Sequence, residues 1–213
     1  MQVSEWQIID YFKQFIFGFI YSDIERCIEA RANYIVALAL LSYTEYIGAL
    51  ISGNLGLKNK GKKSFKKALE YFPKEYRDID SSLEVEYTDE KGDPKKDSGI
   101  YSLFRCGMVH EFFIKGFATV YNDPLGCTKD HIGVIKAEHL IEWPEELSIA
   151  PYKNKVLEFY TNEYFRDFRS ATEQIFKRLI VDKDPQLMEG FRKSLYRVYK
   201  RRIKQLEVGV GEV

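Results

Sequence analysis

An arginine and a histidine stand five positions apart in an apolar stretch, Arg105 and His110 within residues 98–113. Arginine is a permanent cation that grips phosphate with a planar fork, and histidine exchanges protons near neutral pH. Together they are a minimal set for cleaving RNA by transphosphorylation. On an ideal α-helix the two lie about 140° apart, with Ser102, Cys106, Val109 and Phe113 between them in angle. The long arginine stem can swing toward that face. Gly107 leaves room for a second helix, and the long helix carrying Glu45 is the natural neighbour. Glu45 would there pair with Arg105 or orient His110, fixing its tautomer or raising its pKa. The same residues also admit a purely structural reading. Arg105 then pairs with Glu45 or Glu111, and His110 is a satisfied core or interface histidine.

Other constellations compete for these positions. Cys106 and His110, and again Cys127 and His131, form Cys-x3-His pairs, with His139 able to substitute for one ligand. A tetrahedral zinc site needs four convergent ligands, and free cysteines packed as small apolar residues account for the same spacing. Two lysine- and arginine-rich runs, 58–67 and 192–204, fit an RNA backbone or the solvated face of an amphipathic helix. The chain has no glycine-rich phosphate loop, no Gly-x-Ser-x-Gly elbow and no His-Glu-x-x-His helix. Its Glu145-Glu146 pair falls in a surface-loop pattern with no apolar pocket to raise a pKa. Glycosidase, hydrolase-elbow and nucleoside-triphosphatase chemistry therefore has no support, and no cofactor is expected.

The elements that must carry these residues are mostly helical. Ser4-Glu-Trp-Gln7 is a capping-box pattern opening an aromatic helix to about residue 20, and Ser22-Asp-Ile-Glu25 is another, opening a helix to about 51. Gly53 ends that helix, whose expected ridge is Ile28, Ile35, Leu38, Tyr46 and Ala49. The run from Tyr34 to Ile51 is long enough to raise a membrane span, but Glu45, Ser42 and Thr44 favour a buried bundle helix, and no membrane is expected. A short helix over 64–72 stops at Pro73. Residues 74–96 read as polar and irregular, with a turn at Gly92-Asp-Pro94. The motif helix follows over 98–115. The pattern then shortens to strands at 117–121 and 132–136, extended by 139–143, which predicts a β-hairpin at about 117–143. Pro151 and Asp184-Pro185 open two last helices, a C-terminal pair over 151–207.

The 213 residues carry 32 basic and 32 acidic side chains, so net charge specifies no partner. Fifteen Tyr and fifteen Phe point to bulky aromatic packing or an adhesive interface. Three cysteines make no disulfide framework, and Glu5 and Asp10 stand where a signal peptide would be basic, which together suggest a cytoplasmic protein. The expected architecture is mainly α: one domain over 1–213, a helical bundle with a small inserted β-hairpin.

Arg105-Cys-Gly-Met-Val-His110 resembles the Arg-x4-6-His motif of the HEPN superfamily, the higher-eukaryote and prokaryote nucleotide-binding helical domains. The long helix with mid-helix Glu45 ahead of the motif helix is similar to that superfamily as well. The resemblance covers 22–51 and 98–115, and implies a HEPN-like helical bundle. Catalytic members are metal-independent endoribonucleases working as homodimers, with the motifs of two chains facing one cleft. Carried onto this sequence, the catalytic set is Arg105, His110 and Glu45. His110 acts as acid or base at the ribose 2′-hydroxyl, Arg105 holds the scissile phosphate, and the product is a 2′,3′-cyclic phosphate. Cys106 departs from the Asn, Asp or His often found after the arginine in active members. Non-catalytic members serve as RNA-binding or protein-interaction modules, which is the alternative function for this chain.

Overall fold

The computed structural model describes residues 3–88, 91–111, 118–121, 132–141 and 152–209. Its helices are α1 (Glu5–Tyr11), α2 (Tyr21–Glu29), α3 (Asn33–Ile51), α4 (Gly61–Leu69), α5 (Lys74–Ser82), α6 (Thr161–Ile180) and α7 (Pro185–Gly209). Two further stretches, Phe12–Ile20 and Tyr101–Glu111, are π-helical. The strands are β1 (Glu84–Thr88), β2 (Pro94–Ser98), β3 (Ala118–Tyr121), β4 (Val134–Ile141) and β5 (Tyr152–Tyr160). The described residues are thus mainly α, as the sequence leads one to expect, with a small mixed sheet. The residues group into two compact units. A helical unit comprises Met1–Glu25, Ser42–Phe72 and Phe168–Val213, and a mixed unit comprises Arg26–Leu41 and Pro73–Asp167.

In the helical unit the chain begins with the expected capping box. Gln7 N–H donates to Ser4 Oγ at 3.3 Å while Ser4 N–H donates to Gln7 Oε1 at 2.8 Å. Every fourth residue from there is fully buried: Ile8, Phe12, Ile16, Ile20 and Ile24. In a pure α-helix such a repeat drifts about 40° per step, because four residues overshoot one turn. The i→i+5 turns over Phe12–Ile20 hold more residues each, so the drift reverses and the stripe stays on one side. Phe12 meets Phe191 and Phe176 at ring separations of 5.5 and 5.1 Å. Helix is continuous across Tyr21, so Ser22 does not open a new one.

Close backbone approaches tie this unit together. A Cβ added at Gly48 would sit 1.7 Å from the Ser64 carbonyl oxygen, and one at Gly190 would sit 2.0 Å from that of Ile51. These glycines let α4 and α7 lie directly on α3. Gly53, at φ +71°, ends α3, and Asn54 N–H closes the last turn onto the Ala49 carbonyl at 2.8 Å. α7 begins as expected at Asp184, whose Oδ1 accepts from Gln186 N–H and Leu187 N–H at 3.0 and 3.1 Å. These contacts, with the Arg178 guanidinium, hold its carboxyl below the usual range.

The mixed unit departs more from expectation. The single helix expected over 22–51 breaks between Glu29 and Asn33. Arg31 takes a left-handed φ of 55°, with Arg31 N–H bonding Ile28 O at 2.9 Å and Ala32 N–H bonding Cys27 O at 3.0 Å. That is a Schellman stop made without glycine, so no sequence signal marks it. The break resets the register, which is why Ile35 is 58% exposed and Val36, Leu40 and Leu41 are buried. α3 is long and apolar enough for a membrane span, yet 56% of that window is buried, the pattern of a core helix.

The hairpin expected at 117–143 is replaced by a three-stranded sheet of order β3-β5-β4. β5 lies between the other two, parallel to β3 (Ala118 opposite Leu157) and antiparallel to β4 (Val134 opposite Phe159). Residues 152–160, expected as the start of the C-terminal helical pair, are therefore strand. Their Val156, Phe159 and Tyr160 fit helical spacing, but two flanking strands supply backbone partners on both edges. Leu157 and Phe159 are buried on one face, and Tyr160 donates to Glu158 Oε2 at 2.7 Å on the other. A second hairpin pairs β1 with β2, in what reads as irregular polar sequence. Lys96 reaches Glu84 at 2.6 Å across its strands, a half-exposed pair of modest worth.

Tyr21 supplies a pH test of the helical unit. It is 6% exposed, hydrogen-bonds the Thr172 hydroxyl, and burial pushes its phenol up to about 12 against the opposing pull of that bond. An unfolded chain loses this proton near pH 10, so stability is intact below that and falls as pH rises toward 12. Urea unfolding should lose about 2 kcal/mol over that window, and Tyr21→Phe should flatten part of the loss. Gly48→Ala should destabilise by about 2 kcal/mol or more through collision with Ser64, seen as a lower urea midpoint at pH 7.

Candidate functional site

The motif helix begins in the mixed unit at a deliberate cap. Asp80 on α5 is 5% exposed, and its Oδ1 accepts the Ile100 N–H at 2.8 Å. Negative charge there suits the positive end of a helix. Gly99 makes the turn possible, with φ +84° and so little room that a Cβ would meet Asp80 Oδ1 at 2.6 Å. From this start the four-residue repeat recurs, with Ile100, Phe104 and Met108 all fully buried. Hydrogen bonding again runs i→i+5 over Tyr101–Glu111.

Two further contacts fix the helix. Phe104 packs on Phe159 of β5 at 5.7 Å between ring centroids. Phe159 stacks on Tyr164 at 4.8 Å, and Tyr164 meets Tyr76 edge-on at 5.5 Å. Tyr76 is fully buried, donates to Asp167 Oδ2 at 2.7 Å and accepts the Gly133 N–H at 2.7 Å. Burial and the adjacent carboxylate hold its phenol well above the usual tyrosine value, so it remains a donor. Tyr34 of α3 donates to the Met108 carbonyl at 2.9 Å, and desolvation raises its phenol too.

Arg105 is partly buried on this helix, its guanidinium carbon 5.6 Å from the Tyr101 ring centroid. That contact holds the arginine over an aromatic face one turn earlier. The α-helical separation of about 140° does not apply here. Residues five apart in an i→i+5 helix are joined by one hydrogen-bonded turn, and Arg105 and His110 have that spacing. The backbone at His110 is described, its side chain is not. Glu45 lies partly buried on α3, in the residues belonging to the helical unit. The structure thus brings Arg105 and His110 into one segment, while Glu45 belongs to the other unit.

Among the described residues no three His, Cys, Asp or Glu side chains gather as a metal would require. Cys127 and His131 fall outside the described residues, and Cys106 is partly buried and in no disulfide. Sequence reasoning missed Asp80, Tyr34 and Tyr101 as supports of the motif. Tyr101 stands four residues before Arg105, a spacing that could have flagged it. Asp80 and Tyr34 are 20 and 74 positions from their partners, and no local pattern announces them. Compared with known protein families, curated proteins and solved structures, the chain matches none.

Asp80→Ala should leave the Ile100 N–H buried and unpaired, lowering stability by about 1.5–3 kcal/mol. Amide exchange at the start of the motif helix should accelerate with it. Unchanged exchange there would show that Asp80 does not anchor the segment.

Proposed function

We propose that the chain is a HEPN-like endoribonuclease that acts without a metal, as a homodimer. The observation that carries this reading is the register of the motif: Arg105 and His110 occupy successive turns of one π-helical segment, pinned at its start by Asp80 and along its length by Tyr34 and Phe104. An arginine and a histidine carried on one anchored segment suit phosphoryl transfer. His110 takes the proton from a ribose 2′-hydroxyl, and that oxygen attacks the adjacent phosphorus. The bond to the 5′-oxygen breaks, and the departing oxygen is protonated by the conjugate acid. Arg105 binds the nonbridging oxygens and stabilises the charge that builds on them. The products are a 2′,3′-cyclic phosphate and a 5′-hydroxyl end.

A second reading, a non-catalytic interaction module, is favoured by a different part of the molecule. Phe15 stacks on Phe19 and meets Tyr11 and Tyr46 at a tilt, along a largely apolar groove of about 630 Å³ that Tyr199 also lines. Phe19 is 54% exposed and nearby-in-sequence Trp6 is 78% exposed, a pattern common at protein interfaces.

The test is cleavage of a mixed RNA pool by wild type, His110→Ala and Arg105→Lys, with and without EDTA. Wild type should cut in EDTA and leave cyclic-phosphate ends. His110→Ala should lose roughly 10²–10⁴ in rate, the worth of a general base. Arg105→Lys should lose activity as well, because a point charge does not replace the fork. Wild-type rates in the folded His110→Ala protein would remove His110 as the base and sink this mechanism, whereas no cleavage by wild type would favour the interaction module.

A further inference from the structure

Residues 58–67 contain six lysines and no acid. An amphipathic helix with a solvated lysine face would account for that composition, but the structure adds a shape. α4 buries Ser64, Phe65, Ala68 and Leu69, and the Gly48 contact seats it flush on α3. Its other side borders a concavity of about 850 Å³, closed by Ser52, Asn54 and Asn59 from the connection between α3 and α4. Lys62, Lys63, Lys66 and Lys67 line it against one acid, Glu70, which pairs with Lys67 at 2.6 Å. All of these residues belong to the helical unit.

The chemistry of this lining narrows the ligand. It offers no aromatic or apolar side chain, so it suits neither a stacked base nor a greasy small molecule. Its cations are spread out. Lys62 and Lys66, and likewise Lys63 and Lys67, are one turn apart, about 6 Å along the axis. That arrangement matches repeated charges on a chain better than one compact anion. The neutral donors of Asn54, Asn59 and Ser52 suit phosphate and ribose oxygens. An anionic membrane is a poorer fit, because the apolar face of α4 is already buried and leaves nothing to insert, and the surface is concave. Beyond Glu70 the neighbouring polar cavity is charge-balanced, with Arg178 held by Asp184 and Lys193 held by Glu189.

We propose that this lysine groove docks the phosphodiester backbone of single-stranded RNA. The choice of RNA as the polyanion rests on the ribonuclease reading above, whereas the groove itself rests on its own geometry.

The experiment is anisotropy of a labelled 20-nucleotide RNA against full-length His110→Ala protein, titrated with salt, with and without Lys62→Glu, Lys63→Glu and Lys66→Glu together. A milder triple change to glutamine guards against misfolding, with circular dichroism as the check. The triple variants should weaken binding by roughly tenfold or more at 0.1 M salt and lower the salt slope by about 2, near 0.7 per lost phosphate contact. Lys13→Ala, at an exposed position outside both basic runs, should leave both unchanged. Equal affinity and slope in folded triple variants would overturn the groove, as would no RNA binding by the parent. Lysine-dependent capture by phosphatidylserine vesicles with RNA binding unaffected would also overturn it. Failure of the nuclease reading shows separately, as absence of cleavage by wild type, and does not alter these binding outcomes.

Discussion

An apolar repeat of four residues governs both unusual helices of this protein. Ile8, Phe12, Ile16, Ile20 and Ile24 are fully buried in one unit, and Ile100, Phe104 and Met108 are fully buried in the other. A regular α-helix would carry such a stripe steadily around its axis, by about 40° at each step. Burial of these five large side chains is worth several kcal/mol, and the wider turns over Phe12–Ile20 keep them on one side. The backbone therefore yields to the stripe. In the first helix the π-helical stretch lies between α-helical turns, and opposite drifts offset one another. In the motif helix the i→i+5 hydrogen bonding places Arg105 and His110 one hydrogen-bonded turn apart along the backbone.

The motif helix depends on its surroundings for that geometry. Long π-helical runs are uncommon because each turn is poorly bonded internally, so external anchors matter more than usual. Here the anchors are a buried carboxylate at the start, a phenol on the Met108 carbonyl, and a chain of aromatic rings leading from Phe104 through Phe159 and Tyr164 to Tyr76. The ring chain ends on a fully hydrogen-bonded tyrosine. Rigid support of this kind is what a site needs when its work is orientation and charge stabilisation.

Three local signals in the sequence hold, while the capping-box pattern at Ser22 does not, because the helix already runs through it. The Ser4 capping box, the Gly53 stop and the Asp184 cap all appear as the residues indicate. Long-range pairing was not legible. β5 looks helical because Val156, Phe159 and Tyr160 fall at helical spacing, and only pairing with β3 and β4 decides for a strand. β2 is polar throughout and leaves no alternation to detect, while β1 does alternate Val85 and Tyr87 with Glu84, Glu86 and Thr88 but over only five residues inside a polar stretch. The break at Arg31 is hidden because a left-handed stop usually announces itself with glycine. Of the site, the Arg105–His110 spacing is legible, but the separation of about 140° belongs to an α-helix and the segment is π-helical. The supports Asp80 and Tyr34 act across the chain and leave no trace in sequence order.

The central claim is that Arg105 and His110 drive attack by a ribose 2′-hydroxyl. The most direct measurement takes an RNA with one mapped cut and replaces only the nucleotide 5′ to that cut by its 2′-deoxy counterpart. Transphosphorylation predicts that cleavage at that linkage disappears while binding and cleavage elsewhere persist, because the nucleophile has been removed. Continued cleavage at the deoxy linkage, with a 3′-hydroxyl or simple phosphate end, would mean that water attacks instead, and would contradict the account.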